Sequence, residues 1–219
     1  MAQRPLATWA APYVVGACGL AALATWLLLA PADVERWMGE TGPVEIVTAA
    51  TYALCAAAVW LLRLRGDDWR STLSLSVVMA AFCMRELDWH KAFTGTSVLR
   101  LSWYAGPAPL QAKLTAALLL LAIIAALMWL LLRHARALWP AWRRREAVAV
   151  TVIVFLATLV VAKTLDRSVG LLVDDLHVTV PLYWKALRTA FEEWFELALS
   201  MLLLLGLFQH RAARSACGP

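Results

Sequence analysis

"LTAALLLLAIIAALMWLLL", residues 114–132, runs for nineteen positions without one ionisable side chain. A helix of that length rises about 28 Å at 1.5 Å per residue, close to the ~30 Å hydrocarbon core of a bilayer. An amphipathic helix on a soluble domain would need a polar face, and this stretch offers none. The same reading extends outward along the chain. Apolar runs of similar length fall at about 12–30, 44–62, 71–90, 111–133, 146–165 and 189–208. The first has too long an apolar core for a signal peptide and is read as a retained helix. The expectation is an all-α integral membrane protein, one transmembrane domain over 1–219, built as a six-helix bundle.

Composition agrees. Hydrophobic residues are 62% and charged residues 16% of the 219, and the mean hydropathy is +0.68. A soluble domain is about half apolar and a quarter charged. The formal net charge of +5 therefore reads as a topology signal, and no nucleic-acid partner is expected. Many of the twelve Trp lie near run ends, as an interfacial aromatic belt requires. Cys18, Cys55, Cys83 and Cys217 are isolated in sequence, so neither a disulfide framework nor a thiolate metal site is indicated.

Six spans put both termini on one side, together with the links 63–70 and 133–145. That side holds eleven Arg and three acids (Asp67, Asp68, Glu146), a net of +8. The other side holds nine Lys or Arg and twelve acids, a net of −3, and the two sum to +5. "RLRGDDWR" and "RHARALWPAWRRR" are short links dense in Arg, which places both termini in the cytoplasm, in a bacterial inner membrane. On the outer side, 91–110 and 166–188 mix apolar, aromatic and turn residues. They read as two segments lying in the interface.

The outer side also gathers the ionisable residues. "MRELDWHKAF" (84–93) closes the third span with Arg85, Glu86, Asp88, His90 and Lys91. Glu45 opens the second, Lys163, Asp166 and Arg167 end the fifth, and "FEEWFE" supplies Glu192, Glu193 and Glu196 to the sixth. Glu86 and His90 are i, i+4, as are Glu192 and Glu196, so each pair shares a helix face. Glu45, Thr48 and Tyr52 form a polar stripe on the second span. Seven carboxylates stand against four cations, and an excess of three negative charges in or near a bilayer needs water, protons or a bound cation.

Three readings follow. One is an ion-pair network at helix ends, pairing Arg85 with Asp88 and Asp166 with Lys163 or Arg167, with Glu45, Glu192 and Glu193 favoured at helix N-termini. The second is a divalent metal site, for Zn, Mn, Fe or Mg, held by Glu86, His90, Asp166, Glu192 and Glu196, with His177 as a further candidate. Asp88 or Glu193 would then act as general base, while Arg85, Lys91, Arg167 and Glu45 would line the substrate position. The third is a proton or cation relay in a transporter.

The leading functional expectation is a metal-dependent hydrolase or transferase acting on a membrane lipid or lipid-linked substrate at the outer leaflet. The alternatives are a proton- or cation-coupled carrier and a non-catalytic assembly partner. Known membrane-hydrolase motifs do not decide between them. "FEEWFE" is similar to the EExxxR motif of CAAX-type membrane proteases, but position 197 is Leu where that motif has Arg. The chain has no HExxH, no GxSG, and no HxxxH pair of the kind found in alkaline ceramidases.

Overall fold

The computed structural model describes residues 5–39, 42–63, 67–89, 104–175 and 177–216, and the regular elements among them are all helical. They are α1 (Pro5–Leu28), α2 (Pro31–Met38), α3 (Pro43–Leu61), α4 (Trp69–Glu86), α5 (Leu110–Arg143), α6 (Ala147–Gly170) and α7 (Leu182–Ala216). A single π-helical turn, Leu171–Asp175, extends α6.

Four stretches are long and apolar enough to cross a membrane: Ala7–Leu28, Pro31–Leu61, Leu110–Arg143 and Ala147–Val173. The remaining two expected runs, 71–90 and 189–208, also form helices, α4 and α7, but do not meet that standard. Their sequences explain it. α4 carries Ser71, Thr72, Ser74, Ser76, Arg85 and Glu86, and α7 carries Arg188, Glu192, Glu193 and Glu196.

α7 organises the bundle. It packs against α6, α1, α3 and α2, while α4 lies between α3 and α5. Small residues let the axes approach: Ala190 and Ala198 of α7 are fully buried, and a Cβ added at Gly206 would meet the Thr151 methyl of α6 at 3.7 Å. Tyr52, Met79, Leu199 and Leu202 fill the interior. The outward faces are apolar instead of polar, with Leu118, Leu121 and Leu132 of α5 largely exposed. Contiguous exposed leucine suits a lipid-facing surface and would be a liability in water. Hydroxyls along the helices turn back on their own backbone, as Thr25 does to Ala21 O and Thr48 to Val44 O. That removes the cost of carrying them through apolar surroundings.

Side-chain contacts tie the helix ends together. At one end Gln209 accepts from Thr151 at 2.7 Å and donates to Ala7 O at 3.0 Å, and Thr8 donates to Arg145 O at 3.3 Å. Asp67, in the α3–α4 link, meets His210 and Arg214 of α7 at the same end. At the other end Trp194 donates to Thr25 Oγ1 and Trp26 donates to Tyr183 O, both at 3.1 Å.

The sequence reading needs several corrections. α2 was not expected; Pro31 at its N-terminus and the spacing of Val34 and Met38 make it a short amphipathic helix seated on Ala186 and Ala190 of α7. The basic stretch after Arg133 is no link: α5 continues to Arg143, since Ala, Leu and Arg are strong helix formers. The segment 166–188 is mostly helical, formed by the end of α6 and the start of α7. Of the other expected interfacial segment, 91–110, residues 91–103 lie outside the described residues.

Candidate functional site

The charged residues converge where α4, α6 and α7 meet. Glu196 sits deep in α7 with its side chain 4% exposed, and it accepts hydrogen bonds from Arg85 of α4 and from Lys163 of α6, the latter at 3.1 Å. Arg85 also faces Glu86 at 3.6 Å, so one guanidinium serves two carboxylates on two helices. Lys163 reaches Asp166 at 3.3 Å on its own helix. Arg188 closes the chain of charges, with Nη1 at 2.5 Å from Glu192 and 3.5 Å from Asp166 O.

Beneath these pairs lies an aromatic floor. Tyr52 of α3 is fully buried and stacks on Phe82 of α4 at 5.2 Å, and Phe155 of α6 meets Phe82 edge-on at 6.4 Å. The charged neighbours of Tyr52 are Glu86, Glu196 and Arg85. Three polar atoms in this region are buried without a hydrogen-bond partner among the described residues: Tyr52 Oη, Glu86 Oε1 and Arg188 Nε. Such atoms are rare in folded proteins and ask for a function or a bound polar group.

Glu193 adds to the same acidic group, with Glu196, Glu192, Glu86 and Glu45 as its electrostatic neighbours. Among the described residues five acids (Glu86, Asp166, Glu192, Glu193 and Glu196) therefore stand with three cations, Arg85, Lys163 and Arg188. Of the pairs first expected, Lys163 does take Asp166, with Arg167 exposed, while Arg85 turns to Glu86 and Glu196 instead of Asp88. Arg188, absent from the sequence-based cluster, was detectable only through its i, i+4 spacing to Glu192.

Two further expectations change. α4 ends at Glu86, short of the expected span end at 90, and the chain turns at Leu87–Asp88, with Asp88 at φ 49°. His90 and Lys91 themselves lie outside the described residues. α7 begins at Leu182, so Glu192 and Glu193 lie well inside the helix, beyond reach of its N-terminal dipole; Glu45 does occupy the first turn of α3. His177 is exposed at φ 52° in the stretch before α7.

Among the described residues no three His, Cys, Asp or Glu side chains are disposed as ligands for one ion. The carboxylates that would serve are already engaged: Glu196 by Arg85 and Lys163, Glu192 by Arg188, Asp166 by Lys163. Comparison with protein-family models, with curated proteins and with solved structures finds no match for this chain.

Proposed function

We propose that the chain is a six-span membrane protein whose buried carboxylates take up and pass protons, as a relay or within a proton-coupled carrier. The observation that carries this reading is Glu196: an acid deep in the bundle, held between Arg85 and Lys163, beside a Glu86 oxygen that has no hydrogen-bond partner among the described residues. A structural ion-pair network has no use for surplus acid. Among the described residues five carboxylates stand with three cations, and mobile protons balance that excess at the least geometric cost, because every existing ion pair stays in place. In the proposed topology α4 and α7 are the inner spans, shielded by the four more apolar stretches. The Arg-rich links and both termini face the cytoplasm of a bacterial inner membrane, and the acidic group faces outward.

A second reading keeps a divalent cation in place of the protons and makes the protein a metal-dependent enzyme acting on lipid-linked substrates. It is favoured by the acidic surroundings of Glu193, which feels Glu196, Glu192, Glu86 and Glu45 electrostatically. It requires Arg85 and Lys163 to release Glu196, which is why it stands second.

Proton flux into vesicles separates them. Purified protein in liposomes containing a trapped pH dye, driven by a potassium diffusion potential, should acidify the lumen faster than empty liposomes. Glu196→Gln and Glu86→Gln should abolish the difference. No flux, together with stoichiometric metal in the purified protein that is lost in His90→Ala, would sink the proton reading in favour of the enzyme. Neither flux nor metal would leave a non-catalytic assembly partner.

A further inference from the structure

The end of the molecule opposite the acidic group has an unspent surplus of arginine, and its acids are already committed. Asp67 is taken by His210 and Arg214 at 3.4 Å each, and Glu146 by Arg144 at 2.8 Å. Asp68 caps α4, accepting from Arg70 N at 3.1 Å and from Ser71 Oγ at 2.9 Å. That leaves Arg63, Arg70, Arg133, Arg136, Arg143, Arg145 and Arg211 among the described residues, none of which forms an ion pair with a described residue. All seven are exposed.

These arginines are interleaved with indoles. Arg70 lies over Trp69 at 5.7 Å and over Trp129 of α5 at 5.3 Å, and Arg63 lies over Trp60 at 6.0 Å. Ser71 and His134 meet at 3.1 Å and fix the start of α4 against α5, which brings Arg70 beside Arg133. Beyond that point α5 continues for three further turns past its apolar stretch, carrying Trp139 and Trp142 packed at 4.8 Å and ending in Arg143. Indoles settle at headgroup depth, and a guanidinium held flat over one presents its N–H fork to a phosphate.

We propose that this end is a binding surface for anionic phospholipid headgroups, centred on Arg70, Arg133 and Arg136 where α4 meets α5. Charge complementarity carries the choice of occupant. An apolar collar topped by tryptophan fits the bilayer edge, and unpaired arginines just above it meet phosphate at that depth. The site is independent of the proton reading, since it shares no residue with the acidic group.

The test uses the full chain in vesicles of phosphatidylcholine containing a spin-labelled phosphatidylglycerol or a spin-labelled phosphatidylcholine. The fraction of each label immobilised by the protein gives their relative association. The anionic label should be preferred by wild type, the preference should fall steeply as salt is raised, and Arg70→Gln, Arg133→Gln and Arg136→Gln should each lower it about fivefold. Arg36→Gln, an exposed arginine of α2 at the other end, should leave it unchanged. Equal association of the two labels in wild type would overturn the proposal. So would a preference that survives high salt or the three substitutions combined. Should the combined variant not fold, the salt series on wild type still decides.

Discussion

Lys163 of α6 lies 3.1 Å from Glu196 of α7, bridging two helices through a carboxylate that is otherwise enclosed. Removing that carboxylate takes one partner from each of two cations, leaving Arg85 with Glu86 and Lys163 with Asp166. Glu196→Gln should therefore lower unfolding free energy by about 2–3 kcal/mol, somewhat under the roughly 3–5 of a fully enclosed pair because both cations keep some water. Lys163→Met should cost less, since Arg85 still holds Glu196. Thermal unfolding in detergent, followed by tryptophan emission, gives the order. A larger loss for Lys163→Met would mean that the lysine, not the acid, is the centre of the network.

Tyr52 makes an opposite pair of expectations. Its hydroxyl has no partner among the described residues, so Tyr52→Phe should be neutral or stabilising by up to about 1 kcal/mol. Its ring is another matter: it is fully buried and stacked on Phe82, so Tyr52→Ala should cost about 3–5 kcal/mol. Both can be read from the same melting experiment. A clear loss in Tyr52→Phe would show that the hydroxyl is bonded in the membrane after all.

Gln209 ties α7 to α6 and α1 through Thr151 and Ala7 O. Gln209→Leu leaves the Thr151 hydroxyl without its acceptor and should cost about 1–3 kcal/mol. Adding Thr151→Val removes the stranded group and should recover part of the loss. Additive losses in the double variant would show that the two side chains are not coupled.

The docking of α2 rests on Val34 and Met38 against Ala186 and Ala190. Met38→Ala should cost about 2 kcal/mol. Because α2 is only eight residues long, the effect should be local. Amide exchange across 31–38 should accelerate while α7 stays protected. Uniform acceleration through α7 would instead make α2 part of the cooperative core.

Much of the helix content was readable because apolar runs at bilayer length have few other uses. α3 begins and ends within a residue of the run at 44–62, since Pro43 starts it and polar residues follow it. Helix ends were harder wherever the boundary was set by tertiary contact. The arginines after position 132 look like a link to hydropathy, yet they continue α5, and the first turns of α7 are helical because Ala186 and Ala190 receive α2. For the site, alternation of spans was enough to bring Glu86, Asp166 and Glu196 to one end. Pairing was not, because Arg85 has acids within reach on its own helix and on α7, and only packing decides which it faces. The end of α4 was placed too late because the chain turns at Leu87–Asp88, where no glycine or proline marks the break.

Arg85 has one guanidinium for two carboxylates. It behaves as the pivot of a seesaw: a neutral Glu86 hands the whole of it to Glu196, and a neutral Glu196 hands it back. Each acid thus senses the other's state through a third residue, and by reciprocity the coupling is equal in both directions. Loading and unloading would then alternate along the pair without either helix having to move.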